Sequence, residues 1–215
     1  MSKQVILIDT GHGIDTPGKC SPDALQGLKD SPFYFKEWEW TRKCARGIVA
    51  ALCARGHDAR LLVPEDRDIA LTERVRRVNA LCDELGKDGV LLVSVHVNAS
   101  PGSGEQWKTA RGWSAYTTKG VTDADKLAAC LIDAAEDVFK APLRVRKYSM
   151  ADKYSRDFEE NFTILQKTLC PAVLTENFFQ DNKEDVMYLK SEAGLRGCVD
   201  VHVRGILAYI AEGLA

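Results

Sequence analysis

Three short, nearly uninterrupted apolar runs constrain the fold of this chain more than any other feature. They lie at residues 5–8, 90–95 and 171–175. Each run is too short for a buried helix and lacks apolar–polar alternation, so each predicts a strand that is buried on both faces. Strands of this kind belong to parallel sheets whose two faces are both covered by helices.

The segments between these runs have helical periodicity. Trp40, Cys44, Ile48 and Leu52 recur every four residues, and Gly56 ends this predicted helix. Because strands alternate with helices, we predict an α/β fold, with residues 1–215 as a single domain built on a mainly parallel twisted sheet with helices on both faces. Further helices are predicted over residues 71–85, 122–139 and 191–212, and further strands over residues 59–63 and 113–118.

Charge and hydropathy exclude several classes of partner. The formal net charge of the 215 residues is only −2, which gives no general attraction to nucleic acid. No apolar run approaches the length of a membrane span, and residues 1–8 do not have the pattern of a signal peptide. We therefore expect a protein that is synthesised in the cytoplasm without a signal segment. We also expect it to be a monomer.

The seven cysteines do not form a recognisable framework, because their number is odd and no C-x-x-C pair occurs. Cys44, Cys82, Cys130 and Cys198 fall on the apolar stripes of predicted helices. We expect them to be unbridged core residues rather than disulfide partners.

Three polar residues follow the three apolar runs: His12, His96 and Glu176. In open α/β sheets the carboxyl ends of the strands border the ligand crevice, so residues that are distant in sequence can converge there. The two other histidines are weaker candidates for a site. His57 follows a glycine in a predicted turn, and His202 lies on the apolar face of the last helix, which is typical of a core histidine.

Two histidines and a carboxylate suit a catalytic zinc ion, which commonly has three protein ligands and one open position. The candidates for the third ligand are Asp9, Glu37, Glu39 and Glu176. Asp9 also suits a loop cap, and either glutamate of the first long helix is favoured there by the helix dipole alone. The pattern by itself does not choose among the four.

Four motifs in order resemble the zinc-dependent N-acetylmuramoyl-L-alanine amidases of the amidase-3 type. Residues 6–13, I-L-I-D-T-G-H-G, resemble the opening strand and histidine turn of that family. Residues 94–99, S-V-H-V-N-A, and residues 171–178, P-A-V-L-T-E-N-F, are similar to its later site strands. Residues 71–74, L-T-E-R, and Asn79 match its second helix. The resemblance covers most of the chain.

This resemblance implies a function and a set of site residues. The zinc ligands of the family correspond to His12, Glu37 and His96, and its catalytic glutamate corresponds to Glu176. The implied reaction is hydrolysis of the amide bond between the lactyl group of N-acetylmuramic acid and L-alanine, with peptidoglycan of the bacterial cell wall as the substrate. One departure is Thr41, where the family often has asparagine four residues after its ligand glutamate. The lack of a signal segment further resembles phage or prophage endolysins.

Two alternatives remain open from the sequence. A zinc peptidase or deacetylase acting on another cell-wall substrate uses the same water chemistry, and Asp9, His12 and His96 imitate the ligand set of many deacetylases. A wall-binding module without turnover is the other alternative. Such a module is expected to lack a metal ligand or the carboxylate at Glu176. This chain has that carboxylate and the three ligand residues that the resemblance implies.

The substrate groove is expected to have loop walls, which the sequence predicts at residues 14–35, 97–111 and 140–163. Aromatic side chains there are candidates for stacking on a sugar or a peptide, although aromatic residues more often pack in a core. The candidates are Trp107, Trp113 and Tyr148.

Overall fold

The computed structural model describes residues 4–102, 104–149 and 153–213. The described residues form one six-stranded sheet, and its order is 2-1-3-6-4-5 when the strands are numbered along the chain. The strands are β1 (Val5–Thr10), β2 (Asp58–Leu61), β3 (Val90–Asn98), β4 (Ser114–Thr117), β5 (Phe158–Glu159) and β6 (Ala172–Phe179).

The sheet is mainly parallel, as the sequence predicts. Four neighbouring pairs run parallel, and only β4 and β6 pair in the antiparallel sense. The α/β class with a mainly parallel sheet is therefore confirmed. The central order β1-β3-β6 matters most for function, because these three strands carry the polar residues that the sequence analysis singled out.

Helices cover the sheet. On one face, α2 (residues 37–53) and α4 (residues 123–138) both pack against α7 (residues 192–212). The predicted helices at 36–56, 71–85 and 122–139 are confirmed to within a few residues. None of the helices in the described part of the chain is both long and apolar enough to cross a membrane. The helices are α1 (Pro22–Leu25), α2 (Glu37–Cys53), α3 (Leu71–Leu85), α4 (Asp123–Val138), α5 (Thr163–Gln166), α6 (Lys183–Lys190) and α7 (Glu192–Glu212).

Strand β1 shows how the two cores form. Successive side chains of a strand point to opposite faces. Ile6 and Ile8 belong to the core under α2, α4 and α7, whereas Val5 and Leu7 belong to the core under α3 and α5. All four side chains are at most 3% exposed. A continuous apolar run is therefore what this position in the sheet requires.

Two of the strands are longer than predicted, and this changes where the polar residues lie. His96 and Glu176 are inside β3 and β6, not beyond their ends. Backbone pairing between the two strands continues through His96 and Glu176, and an irregularity follows before Asn98 pairs with Phe179. A strand continues past a polar side chain as long as its backbone N–H and C=O groups pair with a neighbouring strand. The sequence pattern does not show which strand is the neighbour, so it placed both ends too early.

One more helix lies just before the predicted last helix, and the periodicity did not predict it. Helix α6 precedes α7, and Ser191 ends the first and caps the second by accepting a hydrogen bond from Gly194 N. The backbones approach closely here, since a Cβ atom on Gly194 would lie 1.9 Å from the carbonyl oxygen of Tyr188. The predicted helix over 191–212 is confirmed as α7.

The cysteines on the helix stripes are core residues, as predicted. Cys44, Cys82, Cys130 and Cys198 are all at most 4% exposed. All seven cysteines lie in the described part of the chain, and none of them is in a disulfide bond.

Candidate metal centre and catalytic cleft

A cleft of about 620 Å³ lies beside β1, β3 and β6. His12, Glu37, His96 and Glu176 all line it. The structure thus brings together the two histidines and two of the carboxylates that the sequence offered. These residues come from four parts of the chain: the turn after β1, the first residue of α2, and the strands β3 and β6.

The turn that carries His12 requires glycine on both sides. A Cβ atom on Gly11 would lie 2.7 Å from both Glu37 Oε1 and His96 Nδ1, and one on Gly13 would lie 2.0 Å from a backbone nitrogen. His12 itself has φ 58°, in the left-handed region that non-glycine residues rarely adopt. Arg42 Nη1 donates to the carbonyl oxygen of His12 at 2.9 Å and helps to hold this conformation.

Arg74 fastens the same turn to the sheet and to α3. Its guanidinium, 3% exposed, donates to Asp9 Oδ1 at 2.8 Å, to Asp68 Oδ1 at 2.9 Å and to the carbonyl oxygen of Thr10. Ser94 Oγ donates to the other oxygen of Asp9 at 2.6 Å. Because both oxygens of Asp9 already have partners, the structure does not offer Asp9 as the third metal ligand.

We expect Arg74→Met to lower the free energy of unfolding by about 3–5 kcal/mol. Removing one partner of a buried ion pair leaves the other charge buried and uncompensated, and here that charge is on Asp9. Urea unfolding followed by circular dichroism measures the difference.

Arg76→Met is the matched control on the same helix. Arg76 pairs only with Glu73 at the protein surface, where the side chain of Arg76 is 69% exposed. This variant should unfold at nearly the wild-type urea concentration. If the two variants lose similar amounts of stability, Arg74 does not hold the turn.

Glu37 and Glu39 lie on different sides of α2. Glu37 is 1% exposed, and its Oε1 atom accepts a hydrogen bond from Val97 N at 3.0 Å. The side chain of Glu39 is 51% exposed and pairs with Lys43 at 2.7 Å. Residues two apart on a helix point about 200° apart, so only one of the two glutamates can face the histidines. In this structure that residue is Glu37.

The three donor side chains have the spacing that a small cation requires. His96 Nδ1 lies 3.2 Å from Glu37 Oε1, and His12 Nε2 lies 3.6 Å from Glu37 Oε2. One donor atom from each of the three side chains lies within 4.8 Å of the other two. Zinc held tetrahedrally by nitrogen and oxygen separates neighbouring donor atoms by about 3.4 Å. The donor set and its spacing fit a zinc ion.

The charge states of His12 and Glu37 suit a cation, whereas burial acts to lower the pKa of His96 but the hydrogen bond and charge of Glu37 outweigh it and leave that pKa raised. Burial lowers the pKa of His12 to about 4, so the ring is neutral near pH 7 and has a free lone pair. Burial acts to raise the pKa of Glu37, but the hydrogen bond and charge of His96 outweigh it and leave that pKa below its usual value. Glu37 therefore supplies a negative charge in a buried position.

Glu176 lies next to this group but outside it. On β6 it is the register partner of His96 on β3. Its Oε2 atom is buried and has no hydrogen-bond partner among the described residues. Burial raises the pKa of Glu176 to about 8. An unpartnered carboxyl group on the wall of a cleft is free to exchange a proton with a ligand.

His202 and Trp113, two other residues considered from the sequence, lie outside the cleft. His202 is a core histidine, as predicted: it is fully buried, and its Nε2 atom lies 2.8 Å from Thr175 Oγ1. The stacking role considered for Trp113 is wrong, because this side chain is fully buried and its indole N–H donates to Asn177 Oδ1. Trp107 and Tyr148 do not line the cleft either.

The predicted wall loops 14–35, 97–111 and 140–163 all contribute residues to the cleft, but sequence reasoning did not single out the side chains that line it. They come from loops and from the first turns of helices, where no periodicity marks a side chain as facing a site. Only Lys19 lies next to a sequence signal, the Pro-Gly pair in the loop after His12, which indicates a turn. The missed residues are Lys19, Leu71, Phe162 and Gln180.

Comparison with known sequences places this architecture in a family. The sequence model described as N-acetylmuramoyl-L-alanine amidase, Amidase_3, matches residues 6–208. An endolysin of Bacillus phage SPP1 is 30% identical over 96% of this chain. The amidase CwlM of Bacillus licheniformis is 29% identical over 94% of it. The chain spans 65% and 66% of the length of these two relatives.

Solved structures show the same fold. The N-acetylmuramoyl-L-alanine amidase of Clostridium difficile 630 superposes with a TM-score of 0.74 at 22% identity, and the match covers 98% of each chain. The catalytic domain of CwlV from Bacillus (Paenibacillus) polymyxa var. colistinus gives 0.73 at 19% identity, over 97% of this chain and 98% of that one.

Proposed function

Because the chain belongs to the amidase-3 family of N-acetylmuramoyl-L-alanine amidases, we propose that it hydrolyses an amide bond in peptidoglycan. The bond joins the lactyl group of N-acetylmuramic acid to L-alanine of the stem peptide. The observation that carries this proposal is one cleft wall with two histidines and a buried glutamate at metal-ligand spacing, beside a second, unpartnered glutamate.

In this proposal one zinc ion is held by His12, Glu37 and His96. When bound, zinc polarises the scissile carbonyl group and activates the attacking water. Each imidazole would bind the ion through a neutral ring nitrogen, so His96 would give up any proton that it shares with Glu37, and Glu37 would supply the negative charge. The hydrogen bond from Val97 N to Glu37 Oε1 fixes the orientation of that carboxylate. The protein thus holds the ligands in place before substrate binds.

Glu176 is the proton carrier in this proposal. Its carboxylate accepts a proton from the attacking water as the new carbon–oxygen bond forms. It then donates that proton to the nitrogen of L-alanine as the amide carbon–nitrogen bond breaks. The products are a lactyl carboxylic acid on the sugar and a free amine on the peptide. No protein group competes for Glu176 Oε2 among the described residues, which leaves this atom free for both transfers.

The remaining expectations are part of the same proposal. Residues 1–215 act as a single catalytic domain and as a monomer. It acts on the bacterial cell wall, and it does not act on nucleic acid. The alternative of a deacetylase centred on Asp9 has less support, because Arg74 and Ser94 occupy both oxygens of that carboxylate.

We expect digestion of purified peptidoglycan by the zinc-loaded protein to release new L-alanine amines while the lactyl sugars stay intact. The reason is that the proposed reaction breaks only the bond between those two groups. Mass spectrometry of the digest identifies both new termini.

The control digest uses Glu176→Gln protein with the same zinc content. New reducing sugar ends, released by the wild-type protein alone, would mean a glycosidase. New termini within the stem peptide would mean a peptidase, and free acetate would mean a deacetylase. Each of these results would contradict the proposed activity.

A further inference from the structure

Lys19 places an uncommitted positive charge at the cleft. Among the described residues, only Lys19 and Arg74 contribute a lysine or arginine to the cleft wall. Arg74 is buried and bound to Asp9 and Asp68. The side chain of Lys19 is exposed, and it makes no ion pair with any described residue. Its charge is therefore available to a ligand.

The backbone of Lys19 is fixed to the metal centre. Its carbonyl oxygen accepts a hydrogen bond from Glu37 N at 3.2 Å, and the next residue, Cys20, forms a β-bridge with Lys36. One residue later, Ser21 N donates to the carbonyl oxygen of Phe35 at 3.0 Å. These contacts tie the loop to the start of α2, so Lys19 occupies a defined position beside Glu37.

The charge of Lys19 reaches the residues of the proposed reaction. Burial raises the pKa of Glu176, and the ammonium group of Lys19 acts in the opposite direction. Lys19 and Glu176 line the same cleft of about 620 Å³, so a substrate bound in that cleft meets both side chains.

We propose that Lys19 is a substrate-specificity residue that binds a free carboxylate of the stem peptide, one residue beyond the scissile amide. This inference rests on the proposed amidase function. Three carboxylate groups of the cleft wall have other partners, because Arg74 pairs with Asp9 and Asp68 and the two histidines flank Glu37, and the fourth, Glu176, makes no ion pair with Lys19. An exposed ammonium on a rigid backbone is suited to an anionic ligand.

The chemistry of the substrate provides an anion one residue from the scissile amide. In a stem peptide, L-alanine is followed by a glutamyl residue that continues the chain through its γ-carboxyl group. Its α-carboxyl group is therefore either a free carboxylate or a carboxamide. This group lies one residue from the cleaved bond, within reach of an extended lysine side chain. A lysine here distinguishes the two forms, since the carboxamide has no charge.

The test compares two synthetic muramyl peptides that differ only in this carboxylate or carboxamide. The zinc-loaded wild-type protein should prefer the carboxylate compound, through a lower KM. Lys19→Met should reduce the ratio of kcat/KM values, acid over amide, by about 10-fold, the effect of one hydrogen bond to a charged group. Lys19→Arg, which keeps the charge, should retain most of the preference.

Lys29→Met is the matched control, because Lys29 is exposed in the same segment between β1 and α2 but does not line the cleft. It removes the same charge and should leave the ratio unchanged. A purely structural role for Lys19, or a role in stabilising the reacting carbonyl oxygen, lowers the rates for both compounds equally. Equal losses, or a ratio that Lys19→Met does not change, would overturn the proposal.

A binding measurement separates this proposal from the proposed activity. Calorimetry with zinc-loaded Glu176→Gln protein, with and without Lys19→Met, gives dissociation constants for both compounds. The ratio of these constants should also change by about 10-fold. If the wild-type protein cleaves neither compound, the amidase function fails, and the binding ratio still decides the role of Lys19.

Discussion

We expect Glu37→Ala to weaken zinc binding by more than about 100-fold, whereas Glu39→Ala retains the metal. Loss of a group that only supports a ligand typically costs 10–100-fold in metal affinity, so loss of a ligand should cost more. Glu37 is buried against both histidines, with its two oxygens 3.2 Å and 3.6 Å from their ring nitrogens. Glu39 is exposed and pairs with Lys43. Competition with a chelator of known affinity measures both variants.

Controls for this prediction separate loss of a ligand from loss of the fold. His12→Ala and His96→Ala should lose zinc in the same assay, and His202→Ala should keep it, because His202 is buried against Thr175, away from the cleft. Circular dichroism of each apoprotein checks that the fold persists. If Glu39→Ala empties the site and Glu37→Ala does not, the assignment on α2 is wrong by two residues.

The strands and helices were largely predictable because their burial leaves a direct pattern in the sequence. Residues 5–8 of strand β1 are covered on both faces, and all four are apolar, as expected for a strand segment buried in this way. The stripes of α2, α3 and α4 are apolar at helical spacing for the same reason. Local burial was enough to predict these elements.

The ends of β3 and β6 were not predictable, because they depend on partners distant in sequence. His96 and Glu176 are polar, so the pattern placed them beyond the strands. Their backbones stay in the sheet because the two strands pair with each other at these residues. Helix α6 was not predicted either, because only two of its eight residues, Val186 and Leu189, are buried core residues, too few to show a helical period.

The candidate site was predictable in its residue types but not in its geometry. The order of the motifs indicated His12, Glu37, His96 and Glu176, yet the pattern alone left Asp9 as an equal donor. The ion pair of Asp9 with Arg74 excludes Asp9 as a metal ligand. Nothing in the spacing of residues 9 and 74 indicates that pair. Lys19 was missed because a loop lysine has no periodic signal.

Glu176→Gln should lower kcat by about 10²–10⁴-fold while zinc content and fold stay unchanged. Loss of a positioned general acid–base group typically costs this much. Glutamine has nearly the same shape as glutamate, but its amide group cannot take a proton from water and return it to the leaving amine. Glu176 does not belong to the group of three metal donors, so the metal should remain. Release of L-alanine amines from peptidoglycan measures the rate, and metal analysis measures zinc.

Glu160→Gln is the matched control, because Glu160 is an exposed glutamate outside the cleft wall and the substitution is chemically identical. It should keep near-wild-type activity. The Glu176→Gln protein should still bind peptidoglycan fragments, because the zinc ligands and Lys19 are intact. Near-full activity of Glu176→Gln would mean that another carboxylate carries the proton. Loss of zinc from a folded Glu176→Gln protein would make Glu176 a ligand, and Glu37 would then be a buried partner of the two histidines rather than a donor to the metal.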